Sequence, residues 1–262
     1  MRSLKYVLVL LGIAQLVLAV GFFLRQPWAT GLWPVPDTPL SYSFIAAILA
    51  GGGAPLVWVG LSDRAAALAG YGFSFFIMYA GMALAALLFF LRDHNAAFTW
   101  FSLALGLLAI FCGSLFFRTR YAKAERQPTP RLVRIGFTAE VLVLAGAGIL
   151  LLLKVPNTLP WTISPESSIL YGWVFLGLAL YYLYALVRPQ WIHALGPLLG
   201  FLVYDLVLAY PLLAHYGNLQ PGQLPGQVAA SIIIVFSAIL GIYYLFVNPD
   251  TRLGSGPASE RN

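Results

Sequence analysis

The sequence predicts an all-α fold: a polytopic membrane helix bundle with eight transmembrane helices and both termini cytoplasmic. Three observations predict it. The first is composition. Of 262 residues only 15 are Lys or Arg and 9 are Asp or Glu, a charged share of 9%, against about 25% in soluble domains. Hydrophobic residues reach 60% and mean hydropathy is +0.84. A soluble enzyme, a disordered chain and a nucleic-acid-binding domain are all excluded by so little charge. The second is run length. The apolar segments are continuous and near the ~20 residues that a spanning helix needs, rather than the ~10 alternating residues of a barrel strand. The third is the placement of Lys and Arg, which fall almost wholly on alternate loops. The net charge of +6 therefore reads as membrane topology rather than as a nucleic-acid footprint.

Each helix has its own justification. The first, over 6–24, follows Arg2 and Lys5. Its apolar run is long for the core of a signal peptide, so an uncleaved helix is expected. Cleavage near Ala19 would leave seven spans with unchanged orientation. The second covers 41–61. The third, 65–91, is long enough to tilt. The fourth, 97–117, holds the single cysteine, Cys112, read as a small packing residue. The fifth, 135–153, follows the helix-breaking Gln127-Pro128-Thr129-Pro130. The sixth, seventh and eighth cover 168–187, 194–214 and 228–247. With the N-terminus inside, all the Lys and Arg except Arg25, Arg92 and Lys154 fall on the inner side, as the positive-inside rule requires. Trp28, Trp33, Trp100 and Trp161 then mark the outer interface, and Trp58 and Trp191 the inner one. The composition and topology place the chain in the cell membrane.

The loop over 118–134 carries Arg118, Arg120, Lys123, Arg126, Arg131 and Arg134 against one acid, Glu125. It is expected to set topology, and it suits anionic lipid headgroups. It also sits near mid-chain, which prompts a search for a repeat. Before helix 2 stand Trp33, Thr38, Pro39 and Ser41. Before helix 6 stand Trp161, Ser164, Pro165 and Ser167. Upstream, Gln15 and Glu140 are each the strongly polar residue inside their helices. Two four-helix halves of one orientation are expected, 1–126 and 127–250, with 251–262 a disordered cytoplasmic tail. Thr38 and Ser164 are expected to cap their helices, with Pro39 and Pro165 in the first turn.

A Trp-x-x-x-Pro-x-Ser phrase before a spanning helix, met at Trp161–Ser167 and with two more residues between Trp33 and Pro39, resembles uncharacterised bacterial multi-pass membrane proteins, in which it opens alternate helices. The likeness covers 33–46 and 161–172 and implies no activity.

Two charged residues lie inside spans, Glu140 and Asp205. An intramembrane carboxylate is costly and is a functional candidate by default. At ~1.5 Å per residue, Glu140 stands about 8 Å from the inner start of its helix and Asp205 about 16 Å along its own. Tyr181 is the expected hydrogen-bond partner of Glu140. Gln15, Tyr79 and the run Gly51, Gly52, Gly53 fall at the depth of Asp205. Pro55 follows that run, so helix 2 is either broken around a site or kinked against a close neighbour. The difference in depth argues against a carboxylate dyad. His94, His193 and His215 lie near the surfaces, so no haem or metal site is expected. No HExxH, GxSxG or P-loop occurs, and neither an enzyme nor a cofactor is expected. Two functions fit. One is a small-molecule or ion transporter or binding protein with a midplane site built from Asp205, Glu140, Gln15, Tyr79, Tyr181 and the glycines. The other is a non-catalytic scaffold or accessory subunit, with a membrane-protein partner or a second copy of itself.

Overall fold

The computed structural model describes residues 2–62, 64–122 and 127–253. Among them, eight helices are long and apolar enough to cross a membrane. The protein is a multi-pass membrane helix bundle in a lipid environment. Lipid offers no partner for backbone groups, so each crossing closes its own hydrogen bonds as a helix.

In chain order the elements are α1 (Arg2–Phe23), a single turn α2 (Pro27–Thr30), α3 (Pro39–Ser62), α4 (Leu68–Asp93), α5 (Ala96–Thr119), α6 (Arg131–Leu152), α7 (Pro165–Val187), α8 (Trp191–Ala214) and α9 (Leu224–Ile242). A 3₁₀ turn, Ala65–Ala67, leads into α4, and a π turn, Tyr243–Val247, extends α9. Every predicted span has its helix. The differences are at starts. α3 and α7 begin at Pro39 and Pro165, ahead of their apolar runs, because proline fits the first turn, where its missing N–H is not needed. Thr38 and Ser164 accept hydrogen bonds from the Ser41 and Ser167 amides at 3.3 and 3.0 Å, as expected of caps.

The helices pack as four antiparallel hairpins, α1 with α3, α4 with α5, α6 with α7 and α8 with α9. The most extensive contacts between hairpins are those of α3 along α8 and of α4 along α7. These four form the inside of the bundle. Their most apolar windows are 61%, 50%, 50% and 67% buried for α3, α4, α7 and α8, against 28–33% for α1, α5, α6 and α9. The outer four face lipid with residues such as Leu10, Leu107, Ile110, Leu142 and Ile239.

α1 and α6 end alike. Arg25 and Lys154 adopt left-handed backbone, with φ 52° and 57°. The next amides, Gln26 and Val155, reach back to the Gly21 and Leu150 carbonyls at 2.8 and 2.9 Å, closing the same C-terminal turn. A cation stands at each negative helix end.

The two ends of the bundle differ. At the end carrying both chain termini, the Gln127 amide donates to the Asp250 carbonyl at 2.8 Å and the Trp191 indole to the Thr251 carbonyl at 3.2 Å. Thr251 is buried, so the chain is docked there although the tail was expected to be disordered from that residue. The rest of that tail, 254–262, lies outside the described residues, as do Lys123, Glu125 and Arg126 of the basic loop. At the opposite end, Arg92 bridges Asp93 and Glu166 at 2.6 and 2.8 Å, tying α4 to α7.

Candidate functional site

Asp205 of α8 is 1% exposed and Glu140 of α6 is 6% exposed. The Ser237 hydroxyl of α9 donates to Asp205 Oδ2 at 2.6 Å. Asp205 Oδ1 and Glu140 Oε2 are buried without a hydrogen-bond partner among the described residues. Ser237 was not singled out from sequence. A serine in an apolar helix carries no signal until its register against α8 is known.

Glu140 borders a void of about 10 Å³ with Phe137, Tyr182, Leu198, Phe201 and Ser237. Tyr182 is the tyrosine beside it. The expected bond from Tyr181 is not made: the Tyr181 hydroxyl is unpartnered and lies against Gly196 of α8. Successive residues turn by about 100° on a helix, which puts Tyr182 rather than Tyr181 against Glu140. Glu140 and Asp205 are also nearer than depth along their own helices suggested. Each lies within electrostatic reach of the other and of Tyr182. Depth was counted along separate axes, which ignores lateral packing.

The other candidates gather elsewhere. Gln15 of α1 lies over Gly52 and Gly53, where a Cβ would stand 3.0 Å from its Oε1 and 3.1 Å from its Cβ. It also stands beside the Tyr71 hydroxyl of α4. Tyr71 stacks on Phe75 with ring centroids 4.0 Å apart, and Phe75 packs on Tyr79 at 5.8 Å. Gln15, Gly52, Gly53 and Tyr79 therefore belong to one seam, and Asp205 with Glu140 to another.

Helix α3 is not broken. It runs unbroken from Pro39 to Ser62 through the three glycines and Pro55. Pro55 cannot donate to the Gly51 carbonyl. That carbonyl lies instead against Gly200 of α8: a Cβ on Gly200 would be 2.6 Å from it, and a Cβ on Gly51 would be 2.7 Å from the Gly200 carbonyl. Small residues here let two backbones touch. Beside this crossing is a central void of about 20 Å³, lined by Gly51, Gly52, Phe75, Tyr181, Tyr182 and Tyr204 among others. A water needs about 10–15 Å³ by this measure, so the centre has room for one water and the Glu140 void for at most one.

The two helix-start phrases meet at the end opposite the termini. Asp37 Oδ2 accepts from the Ser167 and Tyr171 hydroxyls of α7, both at 2.8 Å. In return the Trp161 indole, just before α7, donates to the Ser41 hydroxyl of α3 at 2.9 Å. Trp33 stacks on Tyr171 with centroids 5.6 Å apart. Sequence alone leaves Asp37 a loop residue ahead of α3, since no local pattern reports partners 130 and 134 residues away.

Neither a family model, a curated protein nor a solved structure matches the chain.

Proposed function

We propose that the protein is a non-catalytic scaffold or accessory subunit of a membrane assembly, built from two parallel four-helix halves with both termini cytoplasmic. The observation that carries this reading is the dry midplane. Space for one water at the centre and at most one beside Glu140 falls far short of the roughly 300–1,000 Å³ of ligand pockets.

The repeat is supported by packing and by residue spacing. Numbering the spans one to eight, each contact of the first half has its counterpart four helices on. α1–α3 corresponds to α6–α7 and α4–α5 to α8–α9, while the cross-contacts α4–α7 and α3–α8 exchange with each other. Pro39 and Pro165 are 126 residues apart, as are Ser41 and Ser167, and Tyr79 and Asp205. Gln15 and Glu140 are 125 apart, as are Cys112 and Ser237. The midplane polar residues then form two versions of one arrangement, Gln15 with Tyr79 and Cys112 in one half, Glu140 with Asp205 and Ser237 in the other. Cytoplasmic termini rest on the basic residues at that end, Arg64, Arg118, Arg120, Arg131, Arg134 and Arg188 among them. The same residues would meet anionic headgroups of the inner leaflet.

One observation favours a second reading. The unpartnered oxygens of Glu140 and Asp205 are what a proton- or cation-coupled transporter would hold in an occluded state. A flux assay separates the two. In proteoliposomes loaded with a pH-sensitive dye, the scaffold shows no more proton or sodium-driven leak than empty vesicles, and Asp205→Asn melts close to wild type. A flux that Asp205→Asn abolishes in a well-folded protein would replace the scaffold with the transporter.

A further inference from the structure

A far larger cavity than the central void lies away from the midplane. It opens at the end opposite the termini, between the end of α1, the start of α3 and the end of α8, and measures about 550 Å³. That is within the range of small-ligand sites. Its lining includes Arg25, His215, Phe23, Tyr210 and Trp161, and no Asp or Glu. No described carboxylate forms a salt bridge with Arg25. The His215 Nε2 is buried and has no hydrogen-bond partner among the described residues. One cation, with the His215 ring in the same wall, thus borders a space free of acids, in a chain with only 15 Lys and Arg.

The apolar side of the cavity says what kind of anion fits. Tyr210, 76% exposed, precedes the last residue of α8, Ala214, by four positions, and Ser43, also in the lining, follows the first residue of α3 by four. At ~1.5 Å per residue the cavity reaches about 6 Å below the helix ends, the depth at which headgroups give way to acyl chains. A soluble anion would use only the Arg25 and His215 side. An amphiphile would use Phe23 and Tyr210 as well.

The other half carries a smaller version. A cavity of about 270 Å³ is lined by Lys154, Ser164 and Pro165, which stand where Arg25, Thr38 and Pro39 stand in the first. Trp161 and Thr162 line both cavities and separate them. The recurrence of a left-handed cation beside a capped helix start argues for a built arrangement rather than a chance hollow.

We infer that the Arg25–His215 cavity binds the phosphate of an anionic phospholipid from the leaflet at that end, with its acyl chain along Phe23 and Tyr210. The test uses the purified full chain in mild detergent, titrated with phosphatidylglycerol, phosphatidylcholine or inorganic phosphate. Bound lipid is counted by native mass spectrometry and stabilisation is read by thermal melting. Phosphatidylglycerol should occupy one strong site saturably, with phosphatidylcholine at least ten-fold weaker. Arg25→Gln should weaken the strong site about ten-fold and Arg25→Lys less. His215→Gln and Tyr210→Ser, at separate positions in the lining, serve as independent variants if Arg25→Gln folds poorly. Equal binding of the two lipids, or retention of the strong site by all three neutral variants, overturns the proposal. Saturable stabilisation by inorganic phosphate alone, at concentrations matching the lipid, overturns the lipid as the source and leaves a soluble phosphate in its place.

Discussion

Gly200 shows how a single hydrogen atom can set a helix crossing. Its missing side chain leaves room for the Gly51 carbonyl, which Pro55 has released from the ladder of α3. A methyl group there would meet backbone at 2.6 Å, and backbone cannot swing aside as a side chain can. Gly200→Ala is expected to push α8 from α3 and to destabilise the fold by about 1–3 kcal/mol, the usual cost of overpacking. Gly106, on the lipid face of α5, has nothing within 4 Å of a built Cβ. Gly106→Ala should be neutral or mildly stabilising, since alanine favours the helix by about 1 kcal/mol. Melting of the two purified variants side by side checks both. Equal melting points would mean that the α3–α8 crossing is looser than the carbonyl contacts describe.

At the scale of the element, the helix starts illustrate what local sequence carries. The Ser164 oxygen receives the Ser167 amide at 3.0 Å, a close cap. Ser164→Ala should cost about 1 kcal/mol. Thr38→Ala should cost at least as much: its cap is longer, at 3.3 Å, but its hydroxyl also donates to Ser41 at 3.1 Å and that bond is lost with it. Denaturant titration of each variant in detergent should reproduce that order. Both caps were legible, because Thr38, Pro39 and Ser41 lie within four positions and their chemistry is local. The eight spans were legible for a similar reason: an apolar run of this length has few alternatives in lipid. The partners of Asp37 were not. Its bonds to Ser167 and Tyr171 depend on how α3 and α7 are laid side by side, and no local pattern reports that. Tyr181 and Tyr182 failed in the same way. Either could reach Glu140 by depth, and only the facing of α7 decides between them. The intact α3 also required tertiary knowledge, since three glycines and a proline read as a break until α8 is placed against them.

At the scale of the whole molecule, the two halves do not form side-by-side bundles. Each lends its two central helices to a shared interior, where α3 meets α8 and α4 meets α7. Each half alone would present to lipid the face that those crossings cover, with Asp37 Oδ2 in one and the Tyr171 hydroxyl in the other deprived of each other. Residues 1–126 and 127–262 produced as separate chains should therefore be unstable singly and should co-purify, with recovered thermal stability, when made together. Independent folding of either half would show that the cross-contacts are docking surfaces between finished units. The same arrangement accounts for the distribution of polar groups. They lie in inner seams and at the two ends, and the outer faces of α1, α5, α6 and α9 are left to lipid.

The bonds from Asp37 to α7 also impose a timetable. Its acceptor oxygen is made 134 residues before the Tyr171 hydroxyl that donates to it. At about 5–20 residues per second of synthesis, that interval is roughly 7–27 seconds. During it α3 already exists, with Gly51 not yet covered by α8 and its entry loop unlatched. The nascent first half must be sheltered or held at the site of insertion until α7 arrives, so the biogenesis of this protein should depend on how quickly its second half is delivered.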